Sequence, residues 1–171
     1  MKEGKFLMDS ILNGATFKKD QTIDVFMKFL EGGLNLNLQD FKAFVQAGGD
    51  LKFYIDEYVQ VFTVLGTYLE YMSPELEVVK YFEEQGVSMI TDGPDRRYLF
   101  NCMLTDSREC NKDIFEFLVK KNIEKGLTPA GMDDISDGET IEKYIERIIR
   151  DDDEFSDVEF YREEDMKIRI N

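Results

Sequence analysis

The chain has 171 residues and a mass of 20.0 kDa, with 36 Asp and Glu against 21 Lys and Arg and a formal net charge of -15. It contains no His, which excludes Ser-His-Asp and Cys-His catalysis, His-ligated zinc and a histidine proton shuttle. The negative charge argues against direct binding of nucleic acid, because phosphate contacts need clustered Lys and Arg. Apolar residues make up 43 %, enough for the core of one domain. The composition therefore favours binding over catalysis.

The chain shows no membrane signal and no cysteine framework. The first residues, MKEGKFLMDSILNG, lack the apolar run of a signal peptide, and polar residues interrupt the apolar stretch 54–72. Two cysteines, Cys102 and Cys110, provide neither a disulfide framework nor a metal site. We therefore expect a cytoplasmic protein without metal, cofactor or membrane contact.

Apolar residues at helical spacing dominate the first 72 residues. Three stripes predict three helices: Phe6, Leu7, Ser10 and Ile11; Ile23, Phe26, Met27 and Leu30; and Phe41, Phe44 and Val45. The Gly-Gly pairs at 32–33 and 48–49 are predicted to end the second and third helices, because glycine accepts a positive φ. From 54 to 72 the apolar positions keep the same period, which predicts one long helix.

Four more helices are predicted near 75–85, 96–105, 112–122 and 138–150. The first is expected to start at Ser73-Pro74-Glu75, with Ser as the cap and Pro at the first helical position. The last is expected to start at a capping box of Ser136 and Glu139, with Glu139 facing Lys143. Between 158 and 170 apolar and polar residues alternate, which predicts a short C-terminal β-hairpin turning through 162–165.

One pattern recurs along the chain: an apolar helix, a stop residue and a short extended stretch. The stop residues are Gly33, Gly48, Gly86 and Asn122, and the last two steps of 38 and 36 residues approach the 33-residue period of ankyrin arrays. The segments EVVKYFEEQGVSMI and FLEGGLNLN resemble the second helix and turn of an ankyrin repeat. The stretch RYLFNC keeps Leu99 of that family's Thr-Pro-Leu-His-x-Ala signature, with Cys102 in place of Ala and without the Thr-Pro and the His.

The resemblance covers residues 5–126 and implies ankyrin-like stacked helical hairpins. In such arrays the helix pairs bury their apolar faces against each other and leave a concave surface for a protein partner. The resemblance implies no catalytic residue, and it transfers no contact residue because contact positions vary between family members.

The acidity of the chain is concentrated near its C-terminal end. Residues 126–171 hold 15 acidic and 6 basic residues and so contribute -9 of the net charge of -15. Such a field attracts and steers a basic protein, and apolar residues within it can act as anchors. A solvated, solubilising surface is the alternative interpretation. The residues predicted to bind the partner are Asp133, Asp134, Asp137, Asp151, Asp152, Asp153, Glu154, Phe155 and Asp157.

Other chemistries find less support in the sequence. An EF-hand loop starting at Asp133 would place Ile135 and Tyr144 at two positions that need oxygen ligands. The stretch GLNLNLQ lacks the Gly-Lys-Ser/Thr ending of a phosphate loop. A carboxylate-based enzyme stays open as an alternative, although no pair of acids stands out among the 36.

We therefore predict a mostly α, single domain over 1–171, with a helical-hairpin array over 5–126 and an acidic helix plus β-hairpin over 127–171. The predicted function is a non-enzymatic protein-binding module. By charge and size it is similar to bacterial toxin immunity proteins, which implies an acidic inhibitor that masks a basic partner such as a toxin nuclease. The alternative in the binding class is an ankyrin-like scaffold or regulatory protein that uses the concave helical face.

Overall fold

The computed structural model describes residues 2–57, 60–89, 109–126, 135–151 and 159–161. The chain divides into two compact units, Met1–Val87 and Ser88–Asn171, which are described separately below. The boundary falls inside the predicted helical array of 5–126, and the predicted single domain stays a prediction. The predicted helix near 96–105 lies outside the described residues.

The first unit is mainly helical, as the apolar stripes predict. Its elements are α1 (Lys2–Leu12), a short 3-10 turn (Lys19–Gln21), α2 (Thr22–Glu31), α3 (Leu38–Gln46), β1 (Tyr54–Glu57), β2 (Gln60–Thr63), α4 (Val64–Tyr71) and α5 (Leu76–Glu84). Helix α1 packs on α2 and α3, α2 also contacts α4, and α3 also contacts α5. Helices α2 and α3 therefore each contact α1 and one later helix of this unit.

A cluster of aromatic rings forms the core of the first unit. Phe41 of α3 lies 5.1 Å from the ring centroids of both Tyr68 in α4 and Phe82 in α5. One turn further along α3, the ring of Phe44 lies 5.9 Å from Phe29 and 6.3 Å from Phe26, both in α2. All six side chains are buried. Edge-to-face contacts of this kind add to the stabilisation from apolar burial.

The buried face of α2 is rotated slightly from the predicted stripe. Val25 and Phe29 are buried, whereas Met27 and Leu30 of the stripe are only half-buried, as is Val45 in α3. The rotation directs Phe26 and Phe29 towards α3. Burial of these large aromatic side chains lowers the free energy of the folded state more than burial of Met27 or Leu30 would.

The predicted long helix over 54–72 is wrong. Residues Tyr54–Glu57 and Gln60–Thr63 form an antiparallel hairpin, with Tyr54 opposite Thr63 and Glu57 opposite Gln60. Helix α4 begins only at Val64, where the Thr63 hydroxyl accepts a hydrogen bond from the Gly66 N–H at 3.0 Å. The sequence YIDEYVQVFT is rich in β-branched and aromatic residues, and this strand preference overrides an apolar spacing that also fits a helix.

Glycine ends α3 as predicted, and Gly48 also allows two backbones to approach closely. Gly48 has a φ of +119°, and a Cβ at this position would overlap the carbonyl oxygen of Phe17. The Phe17 N–H in turn donates to the Ala47 carbonyl at 2.9 Å. The predicted stops Gly33 and Gly86 also have positive φ values, of 69° and 87°.

The start of α5 differs from its prediction. The helix begins at Leu76 after the N-cap Glu75, so Pro74 is not its first residue. The Glu75 N–H donates to the hydroxyl of buried Tyr68 at 2.8 Å, and the Ser73 N–H donates to the Asn35 side chain at 2.9 Å. The backbone N–H groups just before this helix therefore bond to side chains from other parts of the unit. A search for capping residues next to the helix start does not identify such partners.

The second unit contains β3 (Glu109–Asn111), α6 (Lys112–Glu124), α7 (Ile141–Asp151) and β4 (Glu159–Tyr161). Helices α6 and α7 pack together, and β3 pairs in parallel with β4, with Glu109 opposite Glu159. Strand β4 covers part of the predicted first arm of the C-terminal hairpin. The second arm lies outside the described residues, so the hairpin stays a prediction.

Asn122 is not a helix stop, and that prediction is wrong. It lies inside α6 and is buried, and its amide donates to the carbonyls of Met89 at 3.2 Å and Leu118 at 2.7 Å. The helix continues to Glu124, and the left-handed residue after it is Gly126, with a φ of +71°. The side-chain amide of Asn122 thus joins the chain at Met89 to α6.

Replacing the central ring of the aromatic cluster should destabilise the protein strongly. We expect Phe41→Ala to lower the free energy of unfolding by about 3–5 kcal/mol, because it opens a cavity among packed rings. The matched control is Phe6→Ala on α1, whose side chain is 73 % exposed and which should change stability by less than about 0.5 kcal/mol. Urea unfolding followed by circular dichroism measures both, and equal effects would contradict the packing described.

A side chain at Gly48 should cost more than one at Gly33. Both positions have positive φ, so alanine at either should cost about 1–2 kcal/mol of conformational strain. A Cβ at Gly33 meets open space, whereas a Cβ at Gly48 overlaps the Phe17 carbonyl oxygen. We expect Gly48→Ala to reduce the urea midpoint clearly more than Gly33→Ala. A smaller reduction for Gly48→Ala would show that the two backbones are not in close contact.

Candidate partner-binding surface

Two of the nine predicted partner-binding residues belong to the described part of the chain. Asp137 is exposed in the turn before α7, and Asp151 is the last residue of that helix. The other seven lie outside the described residues: Asp133, Asp134, Asp152, Asp153, Glu154, Phe155 and Asp157.

Asp137 precedes α7 by four residues, and Asp151 is the last residue of the helix. The helix has 11 residues, so its ends are roughly 16 Å apart at 1.5 Å per residue. Acidic residues therefore flank α7 on both sides along the chain, at 133–139 and at 151–154. The described residues do not bring the two groups together into one compact cluster.

The body of α7 is amphipathic, and its exposed face carries both signs of charge. Its buried side chains are Tyr144, Ile145 and Ile148, and its exposed ones are Glu142, Lys143, Glu146 and Arg150. Acidic and basic residues balance on this face. The acidity of the C-terminal region thus belongs to the segments that flank the helix.

Only one half of the predicted capping box is present, because Glu139 accepts from the Ser136 N–H but the Ser136 side chain does not accept from the Glu139 N–H. The Ser136 N–H donates to Glu139 Oε1 at 3.0 Å, and the Glu139 N–H donates to the Ser136 carbonyl at 3.0 Å. Ser136 is not the N-cap, however, because α7 begins at Ile141. Thr140 occupies the capping position, where its hydroxyl accepts from the Lys143 N–H at 3.2 Å and its carbonyl accepts from the Tyr144 N–H at 2.9 Å.

Glu139 pairs with Arg147, two turns into α7, and not with the predicted Lys143. Arg147 Nε donates to Glu139 Oε2 and Arg147 Nη2 donates to Oε1, both at 2.9 Å. The guanidinium also lies 5.3 Å from the ring centroid of buried Tyr144. The bidentate hydrogen bonds from Arg147, with the Ser136 N–H, lower the pKa of Glu139 to about 2. We call this pair the Glu139–Arg147 clamp.

The first unit contains an open groove with a charged rim. It is lined by Lys19, Val45, Gly48, Gly49, Asp50, Leu51, Lys52 and Gln85. Asp50 is the one carboxylate among these lining residues. Its Oδ2 lies 2.9 Å from Lys19 Nζ, and its Oδ1 accepts from the Lys52 N–H at 3.0 Å.

The charge network of the groove serves to hold the turn after α3. Burial raises the pKa of Asp50, but the hydrogen bonds from Lys19 and from the Lys52 backbone outweigh it and leave the pKa below its ordinary value. The Asp50 N–H donates to the hydroxyl of buried Thr22 at 3.1 Å, and that hydroxyl donates to the Lys19 carbonyl at 2.6 Å. An ionised, paired carboxylate of this kind is poorly suited to act as a general acid.

In the part of the chain that the structure describes, no group of three or more Cys, Asp or Glu side chains is placed to hold a metal ion. The helices described are also too short or too polar to cross a membrane.

Comparisons with known proteins give no relative. No family model matches the chain, and neither the curated proteins nor the solved structures contain a match.

The Glu139–Arg147 clamp should make the stability of the protein depend on pH in the acid range. The pKa of Glu139 is lowered from 4.5 to about 2 on folding, so its contribution is complete above pH 4.5 and is lost as the pH falls towards 2. We expect Glu139→Gln to destabilise the protein at pH 7, and the difference from wild type to shrink between pH 4.5 and 2. Urea midpoints measured across this range test it.

The matched control is Glu146→Gln, which removes one carboxylate from the exposed face of α7 and leaves the clamp intact. It should cost less stability at pH 7 than Glu139→Gln. A pH-independent difference between wild type and Glu139→Gln would contradict a folded-state pKa far below 4.5.

Proposed function

We propose that this chain is a non-enzymatic protein-binding module whose acidic C-terminal segment, residues 126–171, binds a basic protein. The role that fits best is an immunity-type inhibitor that masks the cationic surface of a partner such as a toxin nuclease. The observation that carries the proposal is the excess of 15 acidic over 6 basic residues in this segment. Charge of one sign accelerates association with an oppositely charged partner and favours it over others.

The position of the acidic run 151–154 adds support. Asp151 ends α7, and three further acids follow it directly in the sequence. The C-terminal end of a helix carries partial negative charge, so an acidic residue in the last turn, such as Asp151, is unfavourable, typically by about 0.3–1 kcal/mol. A cationic side chain of a partner bound at this end would relieve that repulsion. An arrangement that costs stability in the free protein is often found where a surface serves binding.

The carboxylate-based enzyme is the weaker candidate. Such an enzyme needs two acids with separated roles in one cleft. The groove of the first unit offers Asp50, whose charge is already balanced by Lys19 at 2.9 Å. The described residues lining that groove include no second carboxylate to share the chemistry with Asp50.

Charge reversal of the acidic run should weaken binding. The variant is Asp151→Lys with Asp152→Lys and Asp153→Lys, and the probe is a fluorescent lysine decapeptide at low salt. Each exposed ion pair contributes about 0.2–1 kcal/mol, so we expect a Kd about 3- to 100-fold higher, and a weaker dependence of Kd on salt. The midpoint temperature of thermal unfolding should be no lower for the variant than for wild type, because Asp151→Lys places a cation in the last turn of α7.

The control variant carries the same three changes at Asp9, Asp20 and Asp24, all exposed in the first unit. It has the same net charge as the test variant and should bind the probe more tightly than the test variant does. Equal losses in the two variants would mean that only net charge matters. Unchanged affinity in the test variant would contradict the proposed acidic surface.

A further inference from the structure

Arg147 makes more contacts than an exposed ion pair requires. Its guanidinium donates two hydrogen bonds of 2.9 Å to the two carboxylate oxygens of Glu139 and also lies over the ring of Tyr144. The side chain of Arg147 is 22 % exposed and that of Glu139 is 13 % exposed. Because the planar guanidinium matches a carboxylate in both distance and direction, the pair fixes orientation as well as proximity.

The clamp holds the turn that carries Asp137. Glu139 Oε1 accepts from the Ser136 N–H as well as from Arg147, so one carboxylate closes the turn and ties it to α7. The turn contains Gly138 with a φ of +77°, and Asp137 beside it is exposed. Glu139 is thus withdrawn from solvent, and Asp137 is presented to it.

We propose that Arg147 is the positioning residue of the acidic surface: through the Glu139–Arg147 clamp it fixes the turn 136–139 on α7 and so presents Asp137 to a basic partner. This inference rests on the proposed function. A turn that is ordered before binding does not lose conformational freedom on binding, and this raises affinity. The positive charge of Arg147 does not oppose a cationic partner, because Glu139 neutralises it.

Removing the positive charge of Arg147 has opposite expected effects on binding under a positioning role and under an effect of net charge alone. Arg147→Gln makes the chain more negative, so an effect of net charge alone would tighten binding of the lysine decapeptide. Loss of positioning weakens it, and we expect a Kd at least threefold higher than that of wild type. The matched control is Lys143→Gln, which makes the same charge change one turn earlier on the exposed face of α7. It should bind as tightly as wild type or more tightly.

A second variant keeps the charge and removes the bidentate geometry. Arg147→Lys should also raise the Kd, although its net charge equals that of wild type, because an ammonium group cannot form the paired hydrogen bonds. Circular dichroism and thermal unfolding establish that each variant is folded under the conditions of the binding measurement. If Arg147→Gln does not fold, Arg147→Lys provides the test.

The outcomes distinguish this inference from the proposed function. Wild type that binds the peptide, together with folded Arg147 variants that bind as tightly as Lys143→Gln, would overturn the positioning role and leave the proposed function standing. Wild type that does not bind the peptide at low salt would overturn both. Weaker binding by the Arg147 variants and not by Lys143→Gln supports the inference.

Discussion

The first unit depends on the packing of two phenylalanines, Phe41 and Phe44, on one face of α3. Their spacing of three residues places both rings on the same side of the helix, where α2, α4 and α5 supply rings at centroid distances of 5.1–6.3 Å. The end of α3 follows from the same contact. A Cβ at Gly49 would lie 2.6 Å from the Phe44 ring, so only glycine allows the chain to turn so closely after the helix.

In the second unit, buried polar side chains organise the described elements along with apolar packing. Asn111 caps α6 by accepting from the N–H groups of Asp113 and Ile114, and Asn122 joins α6 to Met89. Among the described residues, no buried side-chain nitrogen or oxygen lacks a hydrogen-bond partner. Because an unpaired buried polar group is costly, such side chains specify which segments lie together more sharply than apolar contacts do.

The sequence predicted most of the described helices because their signals are local. An apolar stripe with a glycine after it needs no information from the rest of the chain, and α2 and α3 illustrate this. The helix predicted over 54–63 is wrong. The apolar spacing there fits a helix, whereas the residue composition favours strands, and the hydrogen bonding between β1 and β2 stabilises the hairpin over the helix. The prediction also assigned Glu139 to Lys143, because the partner found, Arg147, lies eight residues away and is reached only after the chain turns into α7. Tyr68 and Glu75 meet for the same non-local reason.

The predicted partner-binding surface depends on which side chains face each other, and charge counts do not contain that information. Charge counting located the acidic segment, and the structure adds that Asp137 and Asp151, the two described residues among the nine predicted to bind a partner, lie before α7 and at its last residue. Charge counting could not show that Glu139 is neutralised or that the exposed face of α7 carries balanced charge, since both depend on which side chains face each other. In the sequence, the excess of acidic residues therefore lies in the segments before and after a helix whose exposed face carries balanced charge.

The central claim is that a basic partner is bound by the C-terminal acidic segment and not by the helices of the first unit. Amide hydrogen exchange of the full chain, with and without the lysine decapeptide at low salt, tests it most directly. The account predicts that the peptide slows exchange within 126–171, and that this protection is lost at high salt. Protection confined to Met1–Val87 would contradict it and would favour a binding face on the helical hairpins.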